Sequence, residues 1–236
     1  MRYQFVDCRW ELGRPGLGRE LYLAGHIPGA SFLEVDEDLA DLSIEGQGRH
    51  PLPRAERFAA AAARAGIGEG VFVVAYGAMG GAERLWWLLR HFGHDDCAVL
   101  NGGIEAWLGP LGEGEEEIEP AAFTARERTG DTIGAEEIAR RLDDPTLVLV
   151  DARLPARWRG EENPIDKVPG RIPGALNAPW NAEVPELPDG ELVAYCGSGV
   201  TSSVTVHRLW LGGRDARLYP GSWSQWETLD LPRERG

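Results

Sequence analysis

Short apolar runs alternate with helical patterns along this chain. The apolar runs that predict strands are 4–7, 32–35, 71–76, 98–100, 147–150 and 192–195. The patterns that predict helices are 54–65, 80–92, 104–108 and 135–142. Strands that alternate with helices favour an α/β fold with parallel sheets, in which ligands bind at the carboxyl ends of the strands.

Four motifs occur twice and in the same order, which indicates a duplicated domain. They are Val6–Arg9 with Val150–Arg153, Gly25–Ala30 with Gly170–Ala175, Ala75–Gly77 with Ala194–Cys196, and Gly102–Trp107 with Gly221–Trp226. Because the repeat unit is as long as an ordinary domain, we predict two similar α/β domains rather than a solenoid. We place them at 1–110 and 133–236, joined by a linker at 111–132 whose acidic run predicts an extended, solvated segment.

The predicted strand at 192–195 leads directly into a cysteine and a glycine-rich loop. Cys196 is followed by Gly197, Ser198 and Gly199, and a helical pattern begins near Thr201. Inward-turning loop amides and a helix N-terminus both favour negative charge, so this order predicts a thiol of lowered pKa beside an anion site. The alternative is an inert buried cysteine, but the glycines directly after it favour a loop built for its backbone geometry. The chemistry indicated is a thiolate nucleophile acting on a small anionic substrate.

The first copy lacks this nucleophile. Gly77 stands at the position that Cys196 holds in the second copy. We therefore expect the first domain to be non-catalytic.

Composition narrows the function classes. The 236 residues carry 38 Asp and Glu against 24 Lys and Arg, a formal charge of −14, which argues against nucleic acid and anionic membrane surfaces as partners. The chain has no long apolar run and no basic-then-apolar N-terminus, so we expect no membrane span and no signal peptide. Three widely spaced cysteines predict neither a disulfide framework nor a zinc site. We expect a cytoplasmic protein that uses no metal or other cofactor.

These motifs resemble the rhodanese (sulfurtransferase) family in its tandem-domain form. The resemblance rests on Gly25–Ala30, Gly102–Trp107, Cys196–Thr201 and Gly221–Trp223, and it spans nearly the whole chain. It implies two rhodanese-like domains, of which the second is catalytic and carries sulfur as a persulfide on Cys196. The order Cys-Gly-Ser-Gly-Val-Thr is similar to the mercaptopyruvate sulfurtransferase branch. The implied donor is 3-mercaptopyruvate, and the implied acceptor is cyanide, a small thiol or thioredoxin.

The resemblance also implies roles within the loop. The six loop amides would hold the outer sulfur of the persulfide, as an oxyanion hole holds an oxyanion. The substrate-binding residues implied in this loop are Gly197, Gly199, Val200 and Thr201. Ser198 would assist proton transfer as mercaptopyruvate becomes pyruvate, or its hydroxyl would only brace the loop.

Two arginines are candidates for binding the donor. Arg157 matches the family arginine that grips the donor's carboxylate, and a surface ion pair with Glu161 or Glu162 is the alternative. Arg171 stands where the second copy usually has a histidine; it would add positive charge near the cleft or pair with Asp166. The second donor-binding arginine of longer relatives has no clear counterpart in this chain.

Two histidines complete the candidates. His26 matches a family histidine that relays protons together with Ser198 and an acid, or it is a turn histidine satisfied by backbone groups. The expected acid is replaced around Arg14, with Glu20 as the nearest substitute. His50 resembles part of a family turn, and we expect it to be structural.

Three other functions compete with this hypothesis. A thiosulfate-preferring sulfurtransferase would keep the fold and the nucleophile. A non-enzymatic sulfur carrier would form the persulfide only from a protein donor. A cysteine phosphatase would need an arginine at position 202 to clamp phosphate, and Ser202 argues against it.

Overall fold

The computed structural model describes residues 2–236 and divides them into two compact units. Unit 1 comprises 2–41 and 52–128, and unit 2 comprises 42–51 and 129–236. The segment 42–51 thus comes from the N-terminal half of the sequence but belongs to unit 2. Unit 2 is built from two pieces of chain, which the predicted boundaries did not anticipate.

Unit 1 contains a parallel sheet of four strands in the order β2-β1-β3-β4. The strands are β1 (Arg2–Cys8), β2 (Ser31–Phe32), β3 (Val71–Gly77) and β4 (Cys97–Val99). The helices are α1 (Leu17–Ala24), α2 (Ala55–Arg64) and α3 (Gly81–His91), followed by a 3-10 turn at Gly103–Ala106. A helix lies between each strand and the next along the chain, as the alternating pattern predicted.

Unit 2 repeats this arrangement with strand order β6-β5-β7-β8, again all parallel. The strands are β5 (Leu147–Asp151), β6 (Leu176–Asn177), β7 (Glu191–Tyr195) and β8 (Ala216–Leu218). The helices are α4 (Ala135–Arg140), α5 (Pro155–Arg159), α6 (Ser202–Leu211) and α7 (Ser222–Trp226). Within residues 2–236, no helix has the length and apolar character needed to cross a bilayer.

The duplication extends to individual contacts. In unit 1 the guanidinium of Arg9 donates Nε and Nη2 to the buried carboxylate of Asp7, at 2.9 and 2.6 Å. In unit 2 Arg153 holds Asp151 in the same way, at 3.0 and 2.6 Å. The repeat predicted from the sequence is therefore a structural repeat.

Helix α1 was not predicted, because glycine interrupts its pattern. A Cβ at Gly18 would lie 1.9 Å from the carbonyl oxygen of Arg9. The helix therefore packs directly on the chain that leaves β1, and only glycine permits that approach. The residue that weakened the helical pattern is the one that lets the helix dock.

The predicted linker is extended, and none of its residues is buried, but its backbone is held in place. Its backbone pairs with unit 1 at several points, including Gly112 with His26 and Arg126 with Phe92, over 2.9–3.0 Å. These hydrogen bonds fix residues up to 128 on unit 1.

Candidate active site

The loop after β7 places Cys196 at the carboxyl end of a central strand of unit 2. Residues 196–201 turn the chain from Tyr195, the end of β7, to Ser202, the start of α6. Gly199 adopts φ +84° in this turn, and its amide donates to Sγ of Cys196 at 3.1 Å. A Cβ at Gly199 would lie 2.5 Å from the carbonyl oxygen of Pro220, so the turn requires glycine at this position.

The start of α7 fixes the base of this loop. The amide of Cys196 donates to the hydroxyl of Ser222 at 3.1 Å. In return, Trp223 donates its amide to the Cys196 carbonyl at 3.0 Å, and Ser224 donates to the Gly197 carbonyl at 2.9 Å. The backbone around the thiol is therefore held before any donor binds.

The surroundings of Cys196 stabilise its thiolate. The residue is only 1% exposed, and burial by itself raises the pKa of a thiol. The nearby hydroxyls of Ser202 and Thr201 and the amides of Ser198 and Ser202 stabilise the anion and outweigh burial, so the pKa of Cys196 is lowered. A thiolate is the form that attacks sulfur.

The other two cysteines show the opposite effect. Burial raises the pKa of Cys8 well above its ordinary value, and the carboxylate of Asp7 raises it further. Burial likewise raises the pKa of Cys97 to about 12. Cys196 is thus the one cysteine of the chain whose environment favours the anion.

Two guanidinium groups lie over the loop at Gly197. A Cβ at this residue would be 2.9 Å from Nη2 of Arg49 and 3.1 Å from Nη2 of Arg157. The bare glycine leaves room for both groups. The family motif identifies Arg157 as a donor-binding residue, but it does not identify Arg49.

Both arginines present unused donors. One N–H of each bonds to the buried carboxylate of Asp166. Nε and Nη2 of Arg49 and Nε of Arg157 are buried and have no hydrogen-bond partner among residues 2–236. Buried N–H groups without partners are costly, and a small anion over Gly197 would satisfy them.

Ser198 is hydrogen bonded to a histidine, but not to the predicted one. Its hydroxyl lies 2.7 Å from Nδ1 of His50, and both side chains are buried. The segment 42–51 carries His50 to this loop within unit 2. The contact with Ser198 that was predicted for His26 is therefore made by His50.

His26 is fully occupied inside unit 1. Its ring is completely buried and stacks on Tyr22 at 4.3 Å. Nδ1 lies 2.8 Å from the Tyr22 carbonyl oxygen, and Nε2 lies 3.1 Å from the carboxylate of Glu116. The contact of Nδ1 with a backbone carbonyl is the one expected of a turn histidine, and both ring nitrogens have partners within unit 1.

Arg171 does not pair with Asp166. Its guanidinium bonds to the carboxylate of Glu234 and stacks on Trp158, 4.1 Å from the ring centre. Glu234 also accepts the amide of Gly174 at 2.8 Å. Arg171 thus holds the C-terminal segment that carries Glu234 against the rest of unit 2.

The remaining loop residues differ in what they offer. Val200 is 1% exposed, and its side chain belongs to the protein interior. Thr201 is partly exposed, and its hydroxyl helps to lower the pKa of Cys196. Within residues 2–236, no group of three or more His, Cys, Asp or Glu side chains could hold a metal ion.

Comparisons with known proteins agree with this geometry. The sequence model of the rhodanese-like domain family matches the chain twice, at residues 1–109 and 134–229. SseB of Mycobacterium tuberculosis, provisionally named a thiosulfate sulfurtransferase, is 36% identical over 248 residues, which cover 94% of this chain and 87% of that protein. Human 3-mercaptopyruvate sulfurtransferase is 35% identical over 263 residues, which cover 98% of this chain and 87% of that protein. The solved structure of 3-mercaptopyruvate sulfurtransferase from Leishmania major has a TM-score of 0.83 at 28% identity, over 97% of this chain and 71% of that one.

Proposed function

This chain belongs to the rhodanese-like domain family, and on that premise we propose that it is a sulfurtransferase that takes sulfur from 3-mercaptopyruvate onto Cys196. The observation that carries the proposal is the position of the Cys196 thiolate beside two arginines with unused N–H groups. This arrangement suits a donor with a carboxylate at one end and a sulfur atom at the other.

The first half of the reaction forms a persulfide. The carboxylate of the donor binds Arg49 and Arg157, which brings its sulfur to Cys196. The thiolate attacks that sulfur, so an S–S bond forms and the C–S bond of the donor breaks. The electron pair of the C–S bond stays on carbon, which gives the enolate of pyruvate. The enolate takes up the proton that the sulfur carried, and pyruvate leaves. Ser198, hydrogen bonded to His50, is positioned to pass that proton.

The second half returns the thiolate. Cyanide, a small thiol or thioredoxin attacks the outer sulfur, the S–S bond breaks, and its electron pair returns to Cys196. Unit 1 takes no covalent part, because Gly77 stands where a nucleophile would be needed.

We place this chemistry in the cytoplasm. The cycle needs Cys196 reduced between turnovers, and all three cysteines are unpaired. A reducing compartment keeps them so.

Parallel assays with two donors test the proposal. Wild type should transfer sulfur to cyanide with a higher kcat/KM from mercaptopyruvate than from thiosulfate, and Cys196→Ser should abolish transfer from both. Cys97→Ser, which removes a buried thiol of raised pKa in unit 1, is the matched control and should keep full activity. Activity that survives in Cys196→Ser would end the proposal.

Thiosulfate is the second candidate donor, and the similarity to SseB supports it. It would use the same nucleophile and the same arginines. A higher kcat/KM for thiosulfate in the assays above would select it.

A non-enzymatic sulfur carrier is the remaining alternative. A carrier would acquire its sulfur from a protein donor alone. Turnover with a small donor therefore excludes it.

A further inference from the structure

The buried carboxylate of Asp166 organises the arginines at the active site. Its side chain is 1% exposed and lies between α5 and β6. One carboxylate oxygen accepts Nη1 of Arg49 at 2.9 Å, and the other accepts Nη2 of Arg157. Arg153 is more distant, at 3.7 Å, and is already paired with Asp151 through two short hydrogen bonds. Asp166 therefore forms its hydrogen bonds with Arg49 and Arg157.

Asp166 remains ionised in this position. Burial raises its pKa, but the hydrogen bonds and charges of Arg157 and Arg49 outweigh burial and hold the pKa below its ordinary value. The two guanidinium charges and one carboxylate charge leave a single net positive charge over Gly197. The Cys196 thiolate places a negative charge in the same loop.

The two candidate donors differ in charge. 3-Mercaptopyruvate with a neutral thiol is a monoanion, and thiosulfate is a dianion. One net positive charge offsets the single charge of a monoanion. The second charge of a dianion is left without a partner, and the Cys196 thiolate repels it.

We infer that Asp166 is a positioning residue that determines which donor the site prefers. It fixes one N–H group of Arg49 and one of Arg157, and its carboxylate cancels one of their two positive charges. The site therefore favours monocarboxylate thiols over dianionic donors. The inference rests on the proposed sulfurtransferase activity. Asp166 acts through the two arginines and does not itself touch the donor.

The test compares Asp166→Asn with wild type on both donors, with cyanide as acceptor. The ratio of kcat/KM for thiosulfate to kcat/KM for mercaptopyruvate should rise about tenfold or more, because the site gains one positive charge. The change should appear mainly in KM. Asp166→Glu, which keeps the charge but moves it, should weaken both donors and leave the ratio near that of wild type.

Asp144→Asn is the matched control, because Asp144 is also paired with an arginine of unit 2 but not with Arg49 or Arg157. It should leave the ratio unchanged. An unchanged ratio in a folded Asp166→Asn protein would overturn the inference. Wild type inactive with both donors would instead overturn the proposed function.

A measurement on wild type keeps the inference testable if Asp166→Asn does not fold. Pyruvate and oxalate are carboxylates of similar size, one a monoanion and the other a dianion. As competitive inhibitors of the donor, pyruvate should be effective at lower concentration than oxalate. Stronger inhibition by oxalate would contradict the inference.

Discussion

At the scale of single residues, the reaction depends on whether the thiol of Cys196 is ionised at neutral pH. Burial favours the neutral thiol, as it does at Cys97. The hydroxyls of Ser202 and Thr201 and the loop amides reverse that preference at Cys196. Hydrogen bonds to sulfur, rather than solvent exposure, therefore set the reactivity of this thiol.

Alkylation as a function of pH tests this account of the thiol. The rate at which iodoacetamide alkylates the native protein should rise with pH as a single titration of one thiol. The midpoint of that curve should lie below the ordinary thiol pKa of 9.0. Ser202→Ala should raise that midpoint, because the hydroxyl that contributes most to lowering the pKa of Cys196 is lost. Ser203→Ala is the control, because its hydroxyl bonds to the Gly199 carbonyl and not to sulfur. A wild-type midpoint at or above 9.0 would contradict the account.

The same lowered pKa links stability to pH. The folded state holds the thiolate more strongly than the unfolded state, so the contribution of Cys196 is full above the unfolded pKa. It is lost as the pH falls through the lower, folded pKa. As the pH rises from the folded to the unfolded pKa of Cys196, the free energy of unfolding of wild type should therefore increase relative to that of Cys196→Ser. Urea unfolding of both proteins across this range measures the difference, and a constant difference would argue against a stabilised thiolate.

The contact between His50 and Ser198 makes a separate prediction. His50→Gln should lower kcat with mercaptopyruvate about 100-fold, because proton transfer to the enolate is slowed. Turnover of thiosulfate should change much less, because sulfite leaves without a proton on carbon. His207→Gln, on the partly exposed part of α6, controls for loss of a histidine in unit 2. Equal losses with both donors would assign His50 to loop structure alone.

At the scale of elements, the turn between β7 and α6 uses its two glycines for different purposes. At Gly199 the backbone has φ +84°, and a methyl group would meet the Pro220 carbonyl. At Gly197 a methyl group would meet only the ends of two flexible arginine side chains. One glycine allows the fold of the turn, and the other leaves space for the donor.

Alanine at each position should separate these purposes. Gly199→Ala should lower the free energy of unfolding by about 1–3 kcal/mol, because of the backbone strain and the clash. Gly197→Ala should change stability by less than about 0.5 kcal/mol and raise the donor KM several-fold. Gly174→Ala, at φ +74° in open space, measures the conformational cost alone. Urea unfolding and donor kinetics check both variants, and a Gly197→Ala protein with unchanged KM would contradict the placement of the donor.

At the scale of the whole molecule, a duplicated domain retains a single nucleophile. Unit 1 keeps the parallel sheet and the Asp7–Arg9 pair, but the end of β3 has no room for a cysteine side chain. A Cβ at Gly77 would lie 2.7 Å from the carbonyl oxygen of Cys8. The space that a cysteine would need in this turn is filled by the chain that leaves β1.

The sequence was sufficient for six of the eight strands and for the loop of Cys196, because local apolar runs and glycine spacing determine them. It was not sufficient for β6 and β8, which are too short to form an apolar run of their own. It was not sufficient for His50 and Arg49. Their segment has no periodic pattern, and its place in unit 2 depends on distant contacts, such as that from the Arg49 amide to the Ser224 hydroxyl at 2.9 Å. A match to the family motif drew attention to His26, although motif position does not show which side chain reaches the loop.

The most direct test of the account is the intact mass of the protein after reaction with mercaptopyruvate in the absence of an acceptor. Wild type should become heavier by one sulfur atom per chain and return to its original mass when cyanide is added. Cys196→Ser should keep its mass throughout. A sulfur atom retained by Cys196→Ser, or two sulfur atoms on wild type, would contradict a single persulfide on Cys196.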